Sequence, residues 1–318
     1  MCFICIKSVT QKYTLSLCVE WCIIHKKLMI MPKIIQLLFI NLFLIAILNS
    51  CEQPSLDSSD EGALSGLFSV SETEQIHFSQ GNLQYQASTN TWRFAENQFD
   101  IIGANNSNIS DSYDGWIDLF GWATSGYNNS VPYQISDNAT DYGPTDESIA
   151  DTNYDWGHFN KISNGGNKAG LWRLLTKYEW EYILNKRHNA SKLFGVGCVN
   201  GVNGLILLPD SCVIPDGITF QAAVASDSGA ELYSIVNNFS LAEWTILENA
   251  GAVFLPAAGA RLTKKVMYTG IAGYYWTETI FEYDAISIYC MGFDSSRVVW
   301  EGLSNRTNGR SVRLVKNK

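Results

Sequence analysis

Two four-residue stretches, "TKYE" at 176–179 and "SLAE" at 240–243, constrain this chain more than any other feature. Each is a capping box, in which a Ser or Thr hydroxyl accepts from the backbone N–H three residues on while the Glu carboxylate reaches back to the cap's own N–H. A helix is expected to begin at Lys177, with Trp180, Ile183 and Leu184 at i, i+3 and i+4 on one apolar face and Lys177, Glu181 and Lys186 pointing elsewhere. A second helix is expected to carry Trp244 and Leu247 and to stop between residues 249 and 251. These two helices punctuate a chain that otherwise reads as strands.

From Ile76 the pattern is β. "IHFSQGNLQYQASTNTWRFA" holds alternating runs around a Ser-Thr-Asn-Thr turn, a hairpin signal. "GLILLPD" is a short apolar run stopped by Pro209, followed by "GITF"; after the second helix come "GAVFLPAAGAR", "GYYWTE", "AISIYCMGF", "RVVWEG" and "SVRLV", with "FDSSR" as a hairpin turn. Residues 103–169 are rich in Asn, Asp, Gly and Ser, yet contain Trp116, Ile117, Leu119, Trp122 and Trp156. Irregular stretches of that length are uncommon, and side chains of that size let one be ordered, so a functional loop region is expected here rather than a linker. No internal repeat is visible. One α+β domain is the expectation, two main helices packed on mixed or antiparallel sheets with long ordered loops.

The N-terminus reads as a targeting segment. Residues 34–48, "IIQLLFINLFLIAIL", follow Lys33 and precede "NSC", giving a basic region, an apolar run shorter than the ~20 residues of a spanning helix, a small residue and then Cys51. This is the pattern of a lipoprotein signal, with lipid attachment expected at Cys51. Met29 or Met31 is a more natural start than Met1, which makes residues 1–28 an upstream extension. Residues 51–69 are expected to be an acidic flexible tether, and 70–318 the folded domain. Removing residues 1–50 leaves 268 residues and takes away five lysines and one glutamate, so the formal charge moves from −9 to −13. No Lys/Arg cluster is present to release counterions from phosphates, which excludes nucleic acid as an expected partner. The membrane is expected to be met through the lipid anchor alone.

After Cys51 only Cys198, Cys212 and Cys290 remain, with no zinc spacing. Cys290 alternates with Ile286 and Ile288, the pattern of a buried small hydrophobe. A Cys198–Cys212 disulfide is compatible with an oxidising compartment, though spacing does not determine connectivity. "DNATDYGPTDE" at 137–147 has the oxygen density of a calcium loop but not the D-x-[DN]-x-[DN]-G register, and Asp and Asn are also ordinary turn formers. His158 has no nucleophile motif beside it and reads as a structural histidine, "SNGGN" at 163–167 reads as a turn, and no pair of carboxylates is singled out by spacing. Of nine tryptophans after Cys51, Trp172, Trp180, Trp244 and Trp276 belong to helix or strand faces and are expected in the core. Trp300 and Tyr268 adjoin polar turns and are the candidate exposed ligand contacts.

The segment "GLWRLLTKYEWEYILNKR" resembles the Arg-Leu-Pro-Thr, Glu-Trp-Glu-Tyr region of formylglycine-generating sulfatase-modifying enzymes, and "GRSVRLV" is similar to that family's closing strand. A closer resemblance, over about residues 70–316, is to a group of Bacteroidetes and Fibrobacter surface lipoproteins sharing that fold. It rests on "GNLQYQASTNTWRFAENQFDIIG", "DGWIDLFGW", "YDWGHFNKISNGGN", "NGLILLPD", "GAVFLPAAGAR" and "GYYWTET". The resemblance implies a C-type-lectin-like fold of the sulfatase-modifying-factor type. It also exposes departures. Leu175 stands where the enzymes have proline, and residues 252–318 hold Cys290 alone where the enzymes use a cysteine pair to bind copper, so the two-sulfur site that Cu(I) prefers is missing. His77, His158 and His188 share no motif that would serve the related iron enzymes. The expectation is therefore an outer-membrane or cell-surface lipoprotein acting without catalysis as a binding or adhesion module for a carbohydrate, peptide or protein ligand, with no cofactor. A divergent sulfatase-modifying-type enzyme and a structural component of a surface assembly are the alternatives.

Overall fold

The capping boxes form as expected. Thr176 Oγ1 accepts from Glu179 N at 2.9 Å while Glu179 Oε2 accepts from Thr176 N at 2.8 Å, opening α2; Ser240 and Glu243 repeat the exchange at the start of α3. The computed structural model describes residues 61–222, 233 and 236–318. Cys51, the apolar run 34–48 and residues 51–60 of the expected tether lie outside the described residues.

Three α-helices occur among the described residues: α1 (Trp156–Phe159), α2 (Lys177–Glu181) and α3 (Leu241–Asn249). A wider turn of π type, Tyr182–Lys186, extends α2 and closes with Arg187 N donating to Tyr182 O at 2.8 Å. Trp180, Ile183 and Leu184 are all buried along this segment, as their spacing requires.

In chain order the strands are β1 (Phe68–Ser69), β2 (Gln75–Phe78), β3 (Leu83–Gln86), β4 (Thr91–Phe94), β5 (Trp116–Ile117), β6 (Phe194–Val199), β7 (Val202–Leu207) and β8 (Asn238–Phe239). They continue as β9 (Val253–Pro256), β10 (Ala260–Leu262), β11 (Lys265–Met267), β12 (Ala272–Ile280), β13 (Ser287–Asp294), β14 (Val298–Asn305) and β15 (Val315–Asn317). They make small sheets ordered β1-β2-β15, β4-β3-β5, β8-β6-β7-β9, β10-β11 and β12-β13-β14, antiparallel except for the β6–β8 pair. The fold is α+β, mostly sheet with few helices.

Both expected hairpins are present. β3 and β4 pair from Leu83 with Phe94 to Gln86 with Thr91, and Asn90 takes the left-handed conformation at the turn. In the β13–β14 turn Asp294 Oδ1 accepts from Ser296 N and Arg297 N, an Asx-type closure. The "GITF" segment forms no strand. It begins at Gly217 just after Pro215, where Ile218 N donates to Pro215 O in a turn, and its apolar side chains lean on the core from coil.

The domain begins earlier than the expected boundary at residue 70. Phe68 is fully buried, Leu64 N donates to Phe78 O, and Asp210 accepts from Ser69 N, Ser69 Oγ and Gln75 Nε2 while its other oxygen holds Arg187 Nη1 at 3.0 Å. Polar composition suggested a tether through 69; one buried aromatic and one four-way carboxylate override it. On β13 Ile288 and Cys290 are buried as alternation requires, whereas Ile286 precedes the strand and is exposed. Cys198 is a buried free thiol in β6, and Cys212 is free and half-buried, so they are not bridged.

Candidate functional site

The irregular region has few ladders to hold it, and buried side chains take their place. Trp122 and Trp156 are fully buried and donate through Nε1 to Thr277 O at 2.9 Å and Thr124 O at 3.1 Å. Asp155, also fully buried, caps α1 through Gly157 N and holds Leu174 N at 2.8 Å, joining the loops to the residue run that leads into α2. Asn106 and Asp118 exchange two hydrogen bonds inside the same region, Asn106 Nδ2 to Asp118 Oδ1 at 2.7 Å and Asp118 N to Asn106 Oδ1 at 2.8 Å, and Leu119 N also donates to Asn106 Oδ1.

Two buried arginines fasten this region from behind. Arg306, near the end of β14, donates through Nη1 to Tyr142 O at 3.1 Å and Pro144 O at 2.6 Å, with its guanidinium 4.9 Å from the Trp122 ring. Arg261 of β10 donates to Thr263 O, Leu119 O and Gln134 O. Neither makes an ion pair among the described residues; carbonyl dipoles and a ring face carry part of the compensation, Arg306 Nε and Nη2 have no partner among the described residues, and burial pushes the Arg261 guanidinium down to about 10.

In front of these anchors lies a cavity of about 310 Å³ lined by Asn128, Asn129, Ser130, Gln134, Thr140 and Asp141, with Gly143 and Tyr154 completing the wall. Its shape comes from a tight reversal. Gly126 N donates to Ser130 O, Ser130 N donates to Tyr127 O, and Gly126, Asn128 and Asn129 all have positive φ, of 94°, 49° and 63°. Asn is the side-chain-bearing residue that most readily accepts that conformation, so "YNNS" is built for the turn. Asn128 Nδ2 donates to Tyr154 Oη at 3.0 Å. The Tyr127 ring meets Tyr154 edge-on at 5.1 Å and Phe159 at 5.5 Å, and both Tyr127 and Phe159 are exposed, which places an aromatic cluster beside the polar cavity. Ser130 is buried, and among the described residues its Oγ has no hydrogen-bond partner. An orphaned buried hydroxyl costs about 1–3 kcal/mol and is open to a partner from outside the chain.

The run 137–147 supplies part of this wall. Asn138 Oδ1 accepts from Thr140 N, Asp141 lines the cavity, and Asp137, Asp146 and Glu147 are exposed. Among the described residues no three His, Cys, Asp or Glu side chains converge as a metal site. A second cavity of about 670 Å³ shares Gln134 in its wall and is lined by Tyr133, Ile135, Asp111 and Asp137 among others.

The residues singled out beforehand lie elsewhere. Trp300 is half-buried against the core that contains Trp180, not exposed beside its turn, because its strand closes over that cluster. Tyr268 is 45% exposed, at φ 62° in the turn after β11, and does not line the cavity. His158 borders a different cavity of about 450 Å³ with Asp151, Arg173 and Lys316, while His77 lies on β2 bonded to Leu64 O and His188 is exposed after the α2 segment. The polar lining itself was read only as loop composition; the consecutive asparagines after an aromatic residue were the signal within it.

One carboxylate group was not anticipated. Glu278 on β12 is almost fully buried, and burial first, then Asp155 and Glu179, push its carboxyl up to about 8. Burial likewise raises Asp155 to about 6 despite its two backbone hydrogen bonds. Arg173 faces this group, holding Glu179 in a two-pronged pair at 2.7 and 3.0 Å. No family model, curated protein or solved structure matches this chain.

Proposed function

We propose that this chain is an exported, lipid-anchored binding module with a C-type-lectin-like fold, whose ligand seat is the Asn128–Asn129–Ser130 cavity and its Tyr127–Tyr154–Phe159 rim. The observation that carries the reading is the coincidence, at one place, of an unpartnered hydroxyl, side-chain amides and exposed aromatic rings on a loop region fastened to the sheets by buried arginines. Binding sites are typically concave, with a few placed polar groups on a rigid support. The non-catalytic character is supported by Cys290, the one thiol of residues 252–318, which burial pushes up to about 11, far from the thiolate that copper or oxygen chemistry needs.

The apolar run, Cys51 and the acidic segment after it support attachment to the outer membrane through lipid at Cys51, with the domain presented at the cell surface. Replacing Cys51 by Ala should abolish labelling by radioactive palmitate and release the protein from membranes; unchanged labelling and retention would refute the anchor. Intact cells bearing the full-length protein, probed on an array of glycans, peptides and proteins, should show retention that Tyr127→Ala and Tyr154→Ala diminish. Equal retention by cells lacking the protein would refute the binding role.

A further inference from the structure

We propose that the seat takes an uncharged, hydroxyl-rich ligand, the end of a neutral saccharide chain, in the small cavity, with the chain continuing past Gln134 into the larger one. This rests on the reading of that cavity as the ligand seat. Three features of the cavity point to the chemistry. The lining offers side-chain amides and hydroxyls in number: within the described residues Asn129, Gln134 and Thr140 hold no side-chain hydrogen bond, and the Ser130 hydroxyl is buried without one. Amide and hydroxyl groups both donate and accept, which matches a ring whose every substituent does the same.

Charge disfavours the anionic alternatives. No Lys or Arg side chain lines the small cavity, Asp141 does, and Asp137, Asp146 and Glu147 stand exposed in the same run. A phosphate, sulfate or uronate would meet these carboxylates without a compensating cation. The two guanidiniums behind the wall do not line the cavity: Arg261 Nη2 bonds to the Gln134 carbonyl and Arg306 Nη1 to those of Tyr142 and Pro144, while Arg306 Nε and Nη2 are buried without a partner among the described residues.

Shape and size complete the argument. A volume of about 310 Å³ sits at the lower end of the ~300–1,000 Å³ range of small-ligand sites, room for a terminal sugar and not for an oligomer. Gln134 lines both cavities, so a chain held at its end in the first would lie along Tyr133 and Ile135 in the second. Sugar rings carry apolar C–H faces, and the exposed Tyr127 and Phe159 rings provide the aromatic surface such faces pack on.

The left-handed backbone at Asn128 and Asn129 gives an unusually clean test, because glycine can replace either one without backbone strain while removing its amide. The detergent-solubilised full-length protein is immobilised and titrated with three probe sets: neutral oligosaccharides (xylo-, manno-, gluco- and N-acetylglucosamine oligomers), oligogalacturonates, and a hexapeptide library. Binding of at least one neutral series is expected, tighter for tetramers than for monomers, and weakened about three- to tenfold by Asn129→Gly and again by Ser130→Val, with urea midpoints unchanged for Asn129→Gly. Gln134→Ala should abolish the gain from chain length while sparing monomer binding. Preference for oligogalacturonates, or for peptides with the same sensitivity to these variants, overturns the saccharide assignment and leaves the seat in place. Binding indifferent to Asn129→Gly, Ser130→Val and Gln134→Ala, or none by any set, overturns the seat as well.

Discussion

The helices α2 and α3 and the irregular region 103–169 both bury tryptophans completely, but they satisfy them differently. Trp122 and Trp156, within the irregular region, each donate Nε1–H to a backbone carbonyl. Trp180 on α2 and Trp244 on α3 are equally buried with Nε1 unpartnered among the described residues. Where helices supply the backbone's own hydrogen bonds, an indole can serve as apolar bulk alone. Where the backbone has few ladders, the indole N–H becomes one of its fastenings, along with Arg261, Arg306, Asp155 and Asp118. Order in the second region is therefore made by side chains reaching backbone, which leaves turns such as Gly126–Ser130 free to adopt shapes that a ladder would forbid.

The largest effects should come from emptying either kind of tryptophan site. Trp180→Ala and Trp156→Ala should each lower stability by about 3–5 kcal/mol in urea unfolding, because each ring is fully buried. Equal losses would show that the irregular region is as much core as the helix. Phenylalanine separates the two. Trp156→Phe leaves Thr124 O without its donor and should cost about 1–3 kcal/mol beyond the lost volume, whereas Trp180→Phe removes an N–H that had no partner and should escape that penalty.

The buried carboxylates add a pH signature to the junction of the two regions. The folded state holds the Glu278 proton up to about 8, against an ordinary 4.5, so the folded form binds more protons than the unfolded form between those values. Stability from this group is full below 4.5 and is lost as pH rises through 8. Urea midpoints should fall from pH 6 to pH 8, and Glu278→Gln should flatten that slope while changing little at pH 5. Asp155 has the same sign in a lower window, from 3.8 to about 6. Smaller still is Thr176→Ala, about 1 kcal/mol for the lost cap, read by the same midpoints. Asn129→Gly should be smallest, within about 0.5 kcal/mol, since its amide makes no bond among the described residues.

How much of this was legible in the residues follows the same division. Local signals worked where local physics decides: both capping boxes, the β3–β4 and β13–β14 turns, the buried face of Trp180, Ile183 and Leu184, and the burial of Cys290. They failed where a distant partner decides. Phe68 and Ser69 looked like tether because Asp210, which holds Ser69, lies 141 positions away. Trp300 looked exposed because its neighbours are polar, yet its ring meets the core. The cavity was illegible for a related reason: its wall combines "NNS", Thr140, Asp141 and Tyr154, and their convergence depends on Arg261 and Arg306 from the C-terminal strands. Polar loop composition signals surface, while the arginines that order it carry no local pattern.

The central claim is that the irregular region is a rigid platform for its cavity rather than a connecting loop, and backbone amide hydrogen exchange tests it most directly. Phe120 N and Trp122 N donate to Arg310 O and Arg306 O, and Gly126 N and Ser130 N close the cavity turn. Amides of Phe120, Trp122 and Ser130 should be protected within about tenfold of those in β12, and Arg306→Lys, which loses the two-carbonyl grip on Tyr142 and Pro144, should speed exchange at Ser130 more than in β12. Exchange of these amides at the rate of an unstructured chain would contradict the account, as would protection that Arg306→Lys leaves untouched.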